Sequence, residues 1–233
     1  MKGQRRVNNF GKLSKFGKLV DLFKCGAEIP VNSSFGSKIL CICALIYFMV
    51  FISSTAYSGS IKGRVHIIGG PTDGNAVVYI EKINQKFTPP DSPVVMNQKN
   101  LMFTPEVLPV LAGTAVRFVN SDVVLHDVFS PSPCSGQFDL GLFPGGQSRV
   151  HVFEHAGCAA IILCDVHPEM QAWVVVLQNP YYAVTKDDGE YIIRNIPAGT
   201  YTLKAWYNYY GVQSVRVSVP ESGEIEVNFQ LKP

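Results

Sequence analysis

The chain has 233 residues, of which 47% are hydrophobic and only 16% charged, so it can build a packed core and is not a disordered polypeptide. Residues 1–38 carry eight Lys and Arg against two acidic residues, a net charge of +6, while the remainder carries twelve basic against sixteen acidic residues, a net charge of −4. Because the folded part is mildly acidic, nucleic acid is not an expected partner.

The first 56 residues have the composition of a targeting segment. A basic region is followed by fourteen consecutive apolar residues from Ile39 to Ile52, and then by small residues that include Ser54 and Ala56. This order is typical of a signal peptide cleaved near Ala56, and it predicts a periplasmic or other extracytoplasmic location. An uncleaved anchor is the alternative, because the run with its flanks approaches the ~18–20 residues that cross a bilayer. Either way, membrane contact is expected only through this segment.

Alternation of apolar and polar residues dominates the chain after residue 57. Twenty glycines and fifteen prolines add many turns, and no amphipathic helix longer than two turns is apparent. Many short strands separated by turns predict an all-β protein built from β-sandwiches. The predicted strands are 64–67, 76–80, 114–119, 148–153, 159–163, 172–177, 191–193, 201–206, 215–219 and 224–231.

Two interruptions divide this series of strands. A Pro-rich stretch runs from Asn84 to Val94, and a second break falls at Gln178-Asn179-Pro180. Between them lies a block with strands of its own. We therefore expect a separate domain over residues 95–178.

Four potential ligands for a soft metal lie in this block. His126 follows the predicted strand 114–119, and Cys164, His167 and Met170 share one short segment between the apolar strands 159–163 and 172–177. A thiolate and two imidazoles with a weak axial thioether suit copper in both of its oxidation states. Zinc bound by the cysteine and the two histidines is a competing interpretation, although an axial Met adds little to a zinc site. A structural Cys with surface His and a core Met is the alternative without any metal.

Residues of about 96–177 resemble a cupredoxin, a type 1 blue-copper domain. The ligand loop has the short spacing found in amicyanin, and the wider stretch is similar to cupredoxin-like proteins labelled methylamine utilization proteins. The resemblance is carried by Phe103-Thr-Pro-Glu-Val-Leu-Pro-Val, His126-Asp-Val-Phe-Ser, Phe138-Asp-Leu-Gly-Leu-Phe-Pro and Cys164–Met170. It implies a Greek-key β-sandwich, one copper ion held by His126, Cys164, His167 and Met170, and one-electron transfer without catalysis of its own.

Two further expectations depend on this resemblance. Many cupredoxins carry Asn directly after the first His ligand, where it ties the ligand loops together, whereas this chain has Asp127. A carboxylate at that place could still accept hydrogen bonds from loop amides. With Cys164 assigned to copper, Cys134 and Cys158 remain as a possible disulfide, and the sequence leaves open whether they lie close together.

The segment from Ala183 to Trp206 resembles a carboxypeptidase-regulatory, transthyretin-like sandwich. That family usually opens with a G-x-V strand and a V-x-Y strand, whose counterparts here are Gly63-Arg64-Val65 and Val77-Val78-Tyr79, upstream of the copper block. We therefore expect a discontinuous domain of residues 60–83 and 181–233, with the cupredoxin inserted into it. Two consecutive domains, with 61–83 as extra cupredoxin strands, are the alternative.

The resulting functional prediction is an exported or membrane-anchored carrier of single electrons. Its expected partner is a dehydrogenase, a cytochrome or another copper protein. We expect His167 to lie near the surface within an apolar docking patch formed by Val166, Pro168, Phe143 and Pro144. The alternative is a protein that binds or delivers copper, or that makes contacts in the cell envelope, without shuttling electrons.

Overall fold

The computed structural model describes residues 58–70, 74–208 and 210–232. Within them the protein is all-β apart from a single 3₁₀ turn at Pro133–Ser135, which confirms the predicted fold class. The strands, in chain order, are β1 (Ser58–Ile67), β2 (Val77–Ile80), β3 (Val94–Lys99), β4 (Met102–Thr104), β5 (Val107–Leu111), β6 (Thr114–Asn120), β7 (Phe129–Ser130), β8 (Phe138–Asp139), β9 (Ser148–Phe153), β10 (Cys158–Leu163), β11 (Gln171–Leu177), β12 (Tyr182–Val184), β13 (Glu190–Pro197), β14 (Gly199–Tyr207), β15 (Gly211–Val219), β16 (Glu224–Glu226) and β17 (Phe229–Leu231).

The predicted leader and anchor, residues 1–56, lie outside the described residues. In the part of the chain that the structure does describe, we find no helix with the length and apolar character needed to cross a membrane.

One sandwich, which we call the split sandwich, is built from strands at both ends of the described chain. One of its sheets has the order β13-β1-β16, with β17 also paired to β1, and the other has the order β12-β2-β14-β15. The core between these sheets includes Ile61, Val78 and Leu203, all fully buried. Strands β1 and β2 thus share sheets with strands β12 to β17, and β2 pairs directly with β12.

Strands β3 to β11 form a second sandwich, the central sandwich, which lies between β2 and β12 in the chain. Its sheets have the orders β4-β3-β6-β9 and β5-β11-β10-β7-β8, and its core includes Met96, Phe118 and Ile162. Several connections cross from one sheet to the other, as a Greek-key sandwich requires.

Strands β10 and β11 set up the end of the central sandwich that carries the candidate ligands. Along β10 the residues alternate between buried and half-buried positions, so Cys158, Ala160 and Ile162 face the core and Cys164 continues the same face. The two strands pair antiparallel up to Leu163 opposite Gln171. Residues 164–170 therefore form a short loop whose two ends are held together by the sheet.

A third apolar cluster joins the outer faces of the two sandwiches. Val175 and Leu177 of β11 lie in it together with Val77 of β2 and Trp206 of β14. Since Ala172, Val174 and Val176 of the same strand face the core of the central sandwich, β11 is covered on both faces. Its uninterrupted apolar sequence follows from this double burial.

Some strands were not evident in the sequence. Strand β5 contains Pro109, which interrupts the sequence pattern, and it is tolerated because β5 lies at the edge of its sheet. The predicted strand 224–231 is two strands, β16 and β17. They are separated where the Arg64 N–H binds the Asn228 side chain instead of a backbone carbonyl.

Candidate metal centre

Cys164, His167 and Met170 lie in the tight loop between β10 and β11. The N–H of Met170 donates a hydrogen bond to the carbonyl of His167 at 2.9 Å, which closes the loop on itself. Cys164 and Met170 are buried and belong to the same core cluster, whereas His167 is only partly buried. The loop thus directs its two sulfur-containing residues inward and leaves the imidazole nearer to solvent.

His126 reaches the same place from the segment that follows β6. Its backbone pairs with Phe143, because the N–H of His126 donates to the Phe143 carbonyl at 3.2 Å and the Phe143 N–H donates back at 2.8 Å. The ring of His126 is fully buried. A histidine ring at zero exposure needs polar partners for both of its nitrogens.

The structure brings three of the four predicted ligands to one point with their donor atoms facing each other. The Sγ of Cys164 lies 3.8 Å from the Nδ1 of His126 and 3.8 Å from the Nδ1 of His167. The two Nδ1 atoms are 3.0 Å apart. All three donor atoms fall within 4.8 Å of one another, close enough to share one ion.

Asp127 connects the two segments that carry these donors. Its side chain is 4% exposed, and its Oδ1 accepts a hydrogen bond of 2.7 Å from the backbone N–H of Asp165. Asp165 follows Cys164 and Asp127 follows His126, so this bond ties the neighbours of two ligands to each other.

The environment of Cys164 disfavours a free thiolate. Burial raises the pKa of the Cys164 thiol, and the nearby backbone N–H of Asp127 opposes this rise only in part. A metal that takes this sulfur as a thiolate therefore has to displace its proton.

Asp122 and Asn120 belong to the site although sequence reasoning assigned them no role. The Oδ2 of Asp122 lies 2.9 Å from the Nε2 of His126, on the side of the ring away from Cys164. The fully buried Asn120 donates from Nδ2 to the carbonyls of Val124 and Phe143, at 2.9 and 3.0 Å. The only signal in the sequence was their place just before the first histidine, at the end of a strand.

Gly145 shows how closely the loops around His126 pack. A Cβ at this position would lie 2.0 Å from the backbone oxygen of Asp122, so no larger residue fits without moving that loop. The next residue, Gly146, donates its N–H to the Asn120 carbonyl at 2.8 Å.

In the structure Cys134 and Cys158 are joined by a disulfide, with their Cα atoms 5.6 Å apart. The bond attaches the 3₁₀ turn to the start of β10. It lies at the opposite end of β10 from Cys164, which has no disulfide partner among the described residues.

The expected surface patch differs in one member. Phe143 is fully buried rather than exposed, because its side chain packs in the core cluster of the central sandwich, and the guanidinium of Arg149 lies 5.0 Å from its ring centre. Pro144, Val166 and Pro168 are exposed as expected, and so are the acidic residues Asp165 and Glu169 of the same loop. Further exposed aliphatic residues close to the candidate ligands in the chain are Val123, Val124, Leu125 and Leu142.

Comparison with sequence families gives one match. The carboxypeptidase regulatory-like domain family matches residues 168–232, which confirms the predicted resemblance of the C-terminal part. The match begins earlier than expected and includes β11 of the central sandwich. No curated protein matches the sequence.

Comparison with solved structures returns copper proteins. A copper-containing nitrite reductase from Thermus scotoductus SA-01 matches at 24% identity and a TM-score of 0.36, over 43% of this chain and 25% of its own. A reduced Cu(I) form of an amicyanin mutant matches at 22% identity and a TM-score of 0.35, over 44% of this chain and 98% of its own. A purple cupredoxin from Nitrosopumilus maritimus matches at 23% identity and a TM-score of 0.32, over 36% and 98%.

These matches span less than half of the chain, and the nitrite reductase match spans a quarter of that enzyme. The family resemblance is therefore limited to the C-terminal part of the chain, residues 168–232.

Proposed function

We propose that the protein is an exported type 1 copper protein that carries single electrons and is not itself an enzyme. The observation that supports this most directly is the convergence of one Cys sulfur and two His Nδ1 atoms within 4.8 Å in a largely buried site.

The donor set fits copper. Two imidazole nitrogens and a thiolate, with the thioether of Met170 in the same buried cluster as Cys164, suit Cu(I) and Cu(II) alike. A bound copper ion would supply the one-electron redox chemistry that the side chains themselves lack. The protein contributes burial, which excludes water, and a geometry fixed before the metal arrives.

The frame around the donors favours fast electron transfer because it resists rearrangement. The β10–β11 pairing holds the loop of residues 164–170, and the backbone pairing with Phe143 holds His126. The hydrogen bond between Asp127 and Asp165 then ties the His126 segment to that loop. A site that keeps its shape in both oxidation states reorganises little when an electron enters or leaves.

The proposed partner is another redox protein: a dehydrogenase, a cytochrome or a second copper protein. Val166 and Leu142 are 45% and 54% exposed, and they immediately precede His167 and Phe143 in the chain. Val123 is fully exposed three residues before His126. Exposed aliphatic side chains close in the chain to a partly buried candidate ligand suit a docking surface for such a partner.

Export is also part of the proposal. It is supported by the composition of residues 1–56 and by the disulfide between Cys134 and Cys158, which is a bond typical of oxidising compartments.

Visible absorption and EPR of the full-length protein after addition of one equivalent of Cu(II) test the copper site. We expect an intense blue thiolate-to-copper band with small copper hyperfine splitting, and we expect both to vanish in Cys164→Ser. A colourless protein, or ordinary tetragonal Cu(II) signals, would contradict the proposal and favour zinc. Rapid reversible redox cycling of the blue form supports electron transfer, whereas transfer of copper to an apo-enzyme supports a delivery function.

A further inference from the structure

The outer nitrogen of His126 has a charged partner. The Nε2 atom lies 2.9 Å from the Oδ2 of Asp122, and the imidazole ring itself is fully buried. The Asp122 side chain is 14% exposed, so the contact lies at the edge of the core and not in open solvent. Sequence patterns and the comparisons with other proteins assign this carboxylate no function.

This contact determines where the hydrogen of the imidazole lies. A carboxylate accepts hydrogen bonds and has no hydrogen to donate, so Nε2 must carry the hydrogen. In the neutral ring Nδ1 is then left with its lone pair. That lone pair is on the side of the ring that faces the Cys164 sulfur and the His167 nitrogen.

The carboxylate is held in place by a separate element, the hairpin turn between β3 and β4. The N–H of Asn100 donates to Oδ1 of Asp122 at 2.7 Å, and the N–H of Leu101 donates to Oδ2 at 3.0 Å. Both turn residues have positive φ, 56° and 59°, as a two-residue type I′ turn requires. The turn therefore presents both of its N–H groups to one carboxylate.

The backbone of Asp122 is fixed as well. Its N–H donates to the Oδ1 of Asn120 at 2.9 Å, and the same Asn120 side chain binds the carbonyls of Val124 and Phe143. Gly145 packs against the Asp122 carbonyl from the opposite loop. The carboxylate, its turn and the His126 segment thus form one connected hydrogen-bond network.

We propose that Asp122 is a positioning residue that locks His126 in the Nε2–H tautomer and aims Nδ1 at the metal. This inference rests on the proposed copper function. A carboxylate bonded to the far nitrogen of a ligating histidine typically improves metal affinity 10- to 100-fold. The negative charge of Asp122 stabilises Cu(II) more than Cu(I). Asp122 therefore also lowers the reduction potential of the bound copper.

The affinity test compares full-length wild type with Asp122→Asn and with Asp139→Asn. Asp139 is an exposed carboxylate that caps the Gly141 N–H at 2.8 Å, so its variant controls for loss of one charge in the same sandwich. We expect Asp122→Asn to weaken Cu(II) binding 10- to 100-fold and to raise the reduction potential, while Asp139→Asn changes affinity less than about twofold. Equal affinities and potentials in wild type and Asp122→Asn would overturn the inference.

A second measurement uses the wild-type protein without copper, so it requires no substituted protein. Nitrogen-15 NMR of the copper-free wild-type protein reports which imidazole nitrogen of His126 carries the hydrogen. We expect the Nε2–H tautomer, and a His126 that is protonated on Nδ1 alone would overturn the inference. If wild type shows the expected tautomer but forms no blue copper site, the proposed function fails while the positioning of His126 by Asp122 stands.

Discussion

Val166 lies beside the buried candidate site in the chain and exposes its side chain on the protein surface. It lies between Asp165, whose N–H is bound to Asp127, and His167, whose Nδ1 faces Cys164. Its backbone is therefore part of the ligand loop, while its side chain is 45% exposed and free of the core. A substitution at this position can change the docking surface without removing a ligand.

We expect Val166→Asp to slow electron self-exchange between two copies of the copper-loaded protein by at least about tenfold, because two like charges meet in the encounter complex. Line broadening in NMR spectra of mixed oxidised and reduced protein measures this rate and requires no identified partner. The matched control is Val215→Asp, a similarly exposed valine on β15 of the split sandwich. Equal rates for both variants, with unchanged visible spectra, would contradict docking at this patch.

At the scale of single residues, the sequence predicts the candidate ligands but not the residues that support them. Cys164, His167 and Met170 were recognisable because their spacing is local and lies between two apolar strands. Asp122 was not, because its function depends on N–H groups of Asn100 and Leu101, which are brought to it only by folding. Phe143 was misjudged as exposed because an aromatic residue in a Gly- and Pro-rich loop gives no local sign of burial.

Among the elements, β10 has the greatest influence on the site because it is tied to its neighbours at both ends. Near Cys164 it pairs with β7 through Leu163 and Phe129, and the adjacent Asp165 is bound to Asp127. At its start the disulfide joins Cys158 to Cys134, in the segment that follows β7. The chain from His126 to Cys134 is thereby fixed alongside the strand that leads into Cys164.

We expect the double variant Cys134→Ser, Cys158→Ala to lose about 3 kcal/mol of unfolding free energy, because the disulfide closes a loop with a sequence separation of 24 residues. Urea denaturation measures the change. Wild type treated with a reductant serves as the matched control and should lose a similar amount without any change of sequence. Free thiols at both Cys134 and Cys158 in non-reducing mass spectrometry of the untreated protein, or a loss below about 1 kcal/mol, would contradict the prediction.

Element prediction succeeded where a continuous apolar run marks a strand, as in β10 and β11, and failed where a proline interrupts the run, as in β5. Strand β10 alternates between buried and half-buried positions and was evident, whereas β5, with Pro109 opposite Val175 in a parallel pair, was not. Parallel partners far apart in sequence leave no local pattern, and a proline at a sheet edge mimics a loop.

For the whole molecule, the third apolar cluster is a contact that connects the two sandwiches. Trp173 of β11 and Trp206 of β14 meet with ring centres 5.4 Å apart, in an edge-to-face arrangement. Val175 and Leu177 complete the cluster from the central sandwich. Trp206 thus packs against residues of the central sandwich, which are far from it in sequence.

This cluster predicts cooperative unfolding. Trp206 is only 7% exposed, so we expect Trp206→Ala to lower the unfolding free energy by about 3–5 kcal/mol and to separate the unfolding of the two sandwiches into two calorimetric transitions. Wild type should show one transition, because neither sandwich can unfold without exposing the shared cluster. Differential scanning calorimetry of the full-length protein makes the comparison.

Val212→Ala is the matched control, since Val212 is the cross-strand partner of Trp206 on β15 but is 52% exposed. It should change stability by less than about 0.5 kcal/mol and keep a single transition. If Trp206→Ala also unfolds in one step with a similarly small loss, the cluster does not couple the sandwiches. If it separates them, the copper-site absorption should follow only the transition of the central sandwich, because all of the candidate ligands belong to that sandwich.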